Sequence, residues 1–411
     1  MPQIVLVTGS GGSGRTTIAA ATACAAAAQG HRTLLVSAEP AALLGTLLGP
    51  EPGVALRRVD AGGEFRAQAA ALQRRGQTVL DLLGAAPLDD EELTELPGAE
   101  AVALLRALRH AADGADGVDG ADGARETAGA ERVPWDTVVV DLPPTPHGLN
   151  ALLLPEQSRR YLRRLVPPER QAARALRPVL AQLAGAPVPG QWLYDTTARW
   201  ERELADLQRI VESPRTAVRL VTEPGPLAAE ALRTARAGLR LHGLALEAVV
   251  ANRLLPTGSP DPWLAALAGQ QQDALKDLRA TCEAEDIPLC ELPHLGRDPR
   301  GPEDLAGLAA AARATAGTAG PQEGARQGRV EDRLAADGHL VWRLPVPGAR
   351  REELELVRRG DELIVGVGAY RRVLALPSAL RRCRVSGAAL DGGELRVRFT
   401  PDPQLWPRPI G

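Results

Sequence analysis

The chain has 411 residues, enough to bury a large core and to form two or three domains. Its 51 acidic and 48 basic side chains leave a net charge of −3, so nothing at whole-chain level points to nucleic acid or an anionic membrane as a partner. The four cysteines (Cys24, Cys282, Cys290, Cys383) are scattered without a Cys-x-x-Cys pair, which argues against a zinc clip, a redox motif or a disulfide framework and for a cytoplasmic protein. The N-terminus enters an apolar run with no basic leader, so no signal peptide is expected. The alanine-rich run 18–28 is too short and too interrupted to span a bilayer, and reads as a buried helix.

In chain order, Ile4-Val5-Leu6-Val7 is a short apolar run suited to a strand inside a parallel sheet. A glycine-rich turn follows, then a helix through Gln29 closed by Gly30, and a strand at Thr33–Ser37. This strand–loop–helix–strand unit opens a doubly wound sheet. Residues 64–110 read as helices broken at Pro97-Gly98, and 111–131 as a flexible Gly/Asp/Ala loop. Thr137–Asp141 is a further buried strand ending in an acid. Residues 149–213 are arginine-rich and helical, interrupted near Gly185 to Gly190. Ala217–Thr222, Ala248–Ala251 and Leu289–Leu292 read as strands, with a helix from about Leu227 to Leu241.

Residues 311–335 read as a linker. Beyond it the period changes to that of strands: Leu340–Leu344, Leu354–Val357, Leu363–Val367 and Leu395–Phe399, with a tight-turn signal at Asp391-Gly392-Gly393. The expected architecture is therefore a P-loop α/β domain over 1–310, with a doubly wound parallel sheet and helical subdomain, followed by a small all-β sandwich over 336–405.

The loop Gly9-Ser10-Gly11-Gly12-Ser13-Gly14-Arg15-Thr16-Thr17 matches G-x-x-x-x-G-K-[ST] except that Arg15 stands at the lysine. Its glycines let successive backbone N–H groups turn inward around an anion, and the helix N-terminus adds partial positive charge. Thr16 is placed to offer a hydroxyl to Mg²⁺. Arginine is longer and planar, so it meets phosphate differently from the compact lysine. The loop reads as a nucleotide site with weakened hydrolysis, or else as a bare glycine-rich turn.

Together with two strand-end motifs, this loop resembles that of the arsenite-pump ATPase family, which includes the ATPases that target tail-anchored membrane proteins. The family loop reads G-K-G-G-V-G-K-T, and Ser10 and Arg15 replace both of its lysines. The resemblance implies ATP and Mg²⁺ as ligands and a homodimer in which the signature lysine reaches across to the partner's nucleotide. Ser37-Ala38-Glu39-Pro40-Ala41 is similar to the family's S-T-D-P-A, so Glu39 stands where an aspartate orients the attacking water. Asp141-Leu142-Pro143-Pro144-Thr145-Pro146-His147-Gly148 resembles D-T-A-P-T-G-H-T, which implies that Asp141 holds Mg²⁺ through water, that Pro146 stiffens the segment, and that His147 relays movement. Leu96-Pro97-Gly98-Ala99-Glu100 is similar to the family's P-G-acidic segment. Asn252 and Pro293 fall where the family contacts adenine.

Gly368-Ala369-Tyr370-Arg371-Arg372, Leu376-Pro377 and Asp391–Val397 resemble the small heat-shock domain carried by some bacterial members, which implies a partner-binding surface. The targeting ATPases' zinc cysteines and methionine-rich groove have no counterpart, since Met1 is the only methionine; among thiols only Cys282 and Cys290 are placed to converge. Three functions stay open: an ATP-binding switch with weak or lost hydrolysis, acting on an unidentified protein client; a working ATPase in which Arg159, Arg160, Arg163 or Arg164 replaces the missing lysine; and a nucleotide-independent chaperone or scaffold.

Overall fold

The computed structural model describes residues 1–50, 53–83, 88–89, 91–114, 134–165, 191–315 and 328–406. Seven strands form one parallel sheet in the order β3-β2-β4-β1-β5-β6-β7. They are β1 (Gln3–Gly9), β2 (Thr33–Ser37), β3 (Ala55–Arg58), β4 (Thr137–Asp141), β5 (Thr216–Thr222), β6 (Leu246–Leu254) and β7 (Leu289–Pro293). Alternation along each strand sorts the core into two layers. Ile4, Leu6, Val138 and Val140 belong to one apolar cluster, and Val5, Val7 and Val139 to the other.

Helices α1 (Arg15–Ala28), α2 (Ala41–Leu48) and, near the C-terminal end of the sheet domain, a helix at Gly301–Thr315 cover the second layer. Over the first layer lie α4 (Ala99–Ala112), α5 (His147–Leu165), α6 (Gln191–Val211), α7 (Pro226–His242) and α8 (Pro262–Ala284); the Gly301–Thr315 helix is α9, and α3 (Ala61–Leu83) precedes α4. Helices on both faces of a parallel sheet make the domain doubly wound, as the strand pattern implied.

Several elements differ from expectation. Strand β3 sits at the sheet edge with the half-exposed sequence ALRR, so it carries no apolar run to announce it. Helix α8 was not anticipated, although Asp261 caps it by accepting from Leu264 N at 2.9 Å and Pro262 fills its first position. The linker expected over 311–335 is shorter, because α9 runs to Thr315 and strand β8 (Arg329–Arg333) begins inside it. Helix α4 reaches Ala112, into the expected 111–131 loop; residues 115–131 of that loop and the break near Gly185 to Gly190 lie outside the described residues.

The C-terminal region holds two antiparallel sheets. One runs β10 (Leu354–Arg359), β11 (Glu362–Val367), β12 (Tyr370–Ala375). The other runs β13 (Cys383–Asp391), β14 (Glu394–Pro401), β9 (His339–Pro345), β8. Gly392 and Gly393 turn β13 into β14 with φ of 55° and 75°, the left-handed pair that two-residue hairpins require. Strands β12 and β13 were missed because Arg371-Arg372 breaks the alternation in β12 and a bulge between Val385 and Gly387 interrupts β13; Arg372 donates to the Leu241 carbonyl of the α/β domain.

That docking is specific. Tyr370, 2% exposed, lies against Gly238 of α7, where a side chain's Cβ would come within 2.5 Å of the ring. Arg372 donates to the Leu241 carbonyl at 2.8 Å, and Arg350 pairs with Glu230 at 3.0 Å. The first-layer core runs without interruption into Leu340, Trp342, Val365 and Tyr370 of the sandwich.

Candidate functional site

The site is built at the carboxyl edge of the sheet, where β1 ends. Gly9 closes β1 so tightly against the Val221 backbone of β5 that a Cβ there would collide with it. Ser13 then folds the loop on itself, donating from both N and Oγ to the Ser10 carbonyl at 3.3 and 2.8 Å. Gly12 and Gly14 take φ of 78° and 87°, a region that favours glycine. Arg15 begins α1, so the free amides of that helix face the loop at residues that include Thr16 and Thr17. Gly11 and Gly12 are exposed, and a Cβ at either would meet nothing within 4 Å.

A clasp from β6 holds the loop. Buried Asn252 donates from Nδ2 to the Ser13 carbonyl at 2.9 Å, and Arg253 donates to the Gly12 carbonyl at 2.9 Å. Arg253 has φ of 57°, which turns its side chain back toward the loop and within 3.7 Å of Glu223. Asn252, expected against an adenine edge, thus has its amide nitrogen committed to the loop. Pro293 ends β7 and, with Thr17, Asn252 and Arg253, lines a recess of about 30 Å³. That is room for about one water and too little for a purine. Sequence reasoning missed the clasp by Arg253, whose only signal was its place beside Asn252.

Asp141 ends β4 and is 5% exposed. Ser37 at the end of β2 donates to its Oδ2 at 3.0 Å, and Thr16 also hydrogen-bonds the carboxylate. Burial pushes the Asp141 carboxyl up to about 6, against the pull of those hydroxyls and of the Arg15 charge. Arg15 donates from Nη1 to the Leu142 carbonyl and stands 3.9 Å from Asp141 Oδ1, a buried oxygen without a hydrogen bond. Glu39 follows β2, its N–H donating to Ser37 Oγ at 3.2 Å. Burial is also the largest influence raising the pKa of Glu100 in the first turn of α4, followed by the charges of Glu95 and Glu39, while Arg15 pulls it down. The Pro97–Glu100 segment therefore lies within electrostatic reach of the loop.

Thr16 and Asp141 are the donor types that Mg²⁺ takes. Yet a guanidinium already faces the one Asp141 oxygen left to a metal, where an octahedral ion would need room for its waters. The donor set as it stands does not fit a magnesium centre. Among the described residues no group of three or more His, Cys, Asp or Glu side chains could hold a metal.

The segment after Asp141 is pinned to β1: Leu142 N donates to Val7 O and Thr145 N to Gly9 O, each at 2.9 Å, while Thr8 Oγ1 donates to Pro143 O at 2.7 Å. The Thr145–Pro146 bond is cis, and Gly148 packs so closely on Pro143 that no side chain would fit. Exposed His147 starts α5. Further along α5, Arg159 and Arg163 pair with Glu201 of α6, and Arg160 and Arg164 with Glu362 of β11. All four arginines are thus committed to carboxylates of their own chain rather than turned to the loop. Cys282 and Cys290 do not converge, because they sit in separate core layers.

A parallel α/β sheet with a glycine loop at the end of its central strand defines a P-loop-like protein. The chain belongs to the anion-transporting ATPase family, whose model matches residues 2–312, and the HSP20-like domain found in ArsA matches residues 337–399. It is 51% identical to an uncharacterized protein of Streptomyces coelicolor over 99% of both chains. A protein of Mycobacterium tuberculosis is 34% identical over 98% of this chain and 97% of its own. An Aquifex aeolicus protein whose name refers to an arsenical pump-driving ATPase is 22% identical over 96% of this chain and 99% of its own. Among the described residues no helix is long and apolar enough to cross a membrane.

Proposed function

We propose that this chain is a cytoplasmic, homodimeric ATP- and ADP-binding protein that hydrolyses ATP slowly or not at all and acts as a nucleotide-controlled switch for a partner protein. The observation that carries the reading is a kept phosphate nest beside an altered catalytic set. Gly12 and Gly14 hold the left-handed turns that aim backbone N–H groups inward, and the first turn of α1 adds its own. Arg15, by contrast, turns down to Leu142 and Asp141. Glu39 carries its carboxylate one methylene further out than the family aspartate, and water positioning tolerates an error of only about 1 Å.

The switch reading rests on connectivity. The pinned segment 142–148 continues directly into α5, and α5 is ion-paired to the HSP20-like domain at Glu362. A shift at the loop is thereby handed to the domain whose exposed strand edges suit a partner. Titration calorimetry with ATP and ADP tests the binding, and no heat at about millimolar nucleotide refutes it. Phosphate release by the wild type no faster than by Asp141→Ala is the expected result for hydrolysis. Release well above that level replaces this reading with a working ATPase.

A further inference from the structure

The donor set that fails to suit magnesium suits something else. Arg15 is the first residue of α1, its side chain is 13% exposed, and it reaches inward beneath the loop rather than out to solvent. One terminal nitrogen, Nη1, takes both inner contacts: it donates to the Leu142 carbonyl and faces Asp141 Oδ1 at 3.9 Å. Ser37 donates to the other Asp141 oxygen at 3.0 Å, and Thr16 also hydrogen-bonds the carboxylate. A guanidinium carries five donors in a planar fork, so the inner contacts leave donors of the outer edge for a second anion. Arg15 directly follows the glycine loop in sequence, and Gly11 and Gly12 of that loop are exposed.

A buried carboxylate and a tethered monocation thus stand side by side where the glycine loop passes into α1. In magnesium-dependent loops the metal bridges the acid and the phosphates. Here a tethered cation already stands 3.9 Å from the acid. A divalent ion entering the same gap would meet the guanidinium charge at close range in a buried setting, where repulsion is poorly screened. Lysine, with one point charge on a thin stem, leaves that gap free; arginine fills it.

Resting on the proposed nucleotide reading, we infer that the Arg15 guanidinium is the resident cation of this site, bridging Asp141 to the terminal phosphates of a nucleoside di- or triphosphate, so that nucleotide binds without Mg²⁺. Phosphate oxygens accept from the outer edge of the guanidinium and from the nest, and Asp141 holds the inner edge in place. Arg15 is here a binding and positioning residue.

The test uses the full chain and binding readouts. ADP and ATP are titrated by calorimetry in buffer with MgCl₂ and in buffer with EDTA. The expected result is dissociation constants that agree within about threefold. Mn²⁺ titrated into the ADP-saturated protein and followed by electron paramagnetic resonance should stay free. Arg15→Lys should restore the metal: binding stronger by about tenfold or more with MgCl₂ than with EDTA, and immobilised Mn²⁺. Wild-type binding that weakens by about tenfold in EDTA, or tight Mn²⁺ in the wild-type complex, overturns the inference and leaves the proposed function standing. No nucleotide binding in either buffer overturns both.

Discussion

Replacing Gly238 with alanine should destabilise the protein, against the usual rule for helix interiors. In an exposed helix the change gains about 1 kcal/mol from propensity. Gly238 lies inside α7, however, and an added Cβ would sit 2.5, 2.7 and 2.7 Å from Cδ2, Cε2 and Cγ of Tyr370. That ring is 2% exposed and belongs to the same core as β11 and β14, so it has nowhere to move. Overpacking of this kind costs about 1–3 kcal/mol, which leaves a net loss of up to about 2 kcal/mol after the helix gain. The loss should fall on the junction between the α/β domain and the sandwich. Urea unfolding followed by circular dichroism and tryptophan fluorescence reads it as a lowered midpoint. In a Tyr370→Leu background the obstacle is removed, and Gly238→Ala should then raise the midpoint. A raised midpoint with Tyr370 intact, or strictly additive effects of the two changes, refutes the reasoning.

Asn252→Ala removes the 2.9 Å hydrogen bond that ties β6 to Ser13 O. It should cost about 1–3 kcal/mol through the unpaired carbonyl and weaken nucleotide affinity; calorimetric affinity equal to wild type counts against the clasp. Glu362→Ala breaks the pairs with Arg160 and Arg164, whose side chains are 27% and 55% exposed, so thermal unfolding should shift by no more than about 1 kcal/mol, while a larger loss would mean that these ion pairs are a main support of the domain junction. Burial lowers the pKa of His242, with Glu156 at 3.7 Å opposing, and Glu156 is itself held below its ordinary value because His242 and Arg372 outweigh its burial. Both folded pKa values are depressed, so their stability is present at pH 7 and lost as pH falls, first through the ordinary histidine range. The melting midpoint should drop more steeply below neutrality for wild type than for His242→Gln; parallel pH profiles would contradict this.

Much of the frame was legible because it is written in local chemistry. Apolar runs of four or five residues at Ile4, Thr33, Thr137 and Ala217 can only be comfortable inside a parallel sheet, and the glycines at 9, 12 and 14 mark backbone that side chains cannot occupy. The loop, the acids at the ends of β2 and β4, and the change of period near residue 336 follow from such signals. Elements defined by what they pack against stayed hidden: β3 on an edge, and β12, whose Arg372 reaches the α/β domain.

The direction of a long side chain is likewise not a property of its neighbours in sequence. Sequence set an arginine at position 15, but the 127 residues separating it from Leu142 had to be folded before its guanidinium could meet that carbonyl and Asp141. Four arginines on α5 looked alike, and only the positions of Glu201 and Glu362 decided where each turned. Two cysteines eight residues apart were parted by the sheet between them. Backbone preference and period act over a few residues and can be read from the chain; charge pairing and layer assignment depend on distances that exist only after the sheet has formed.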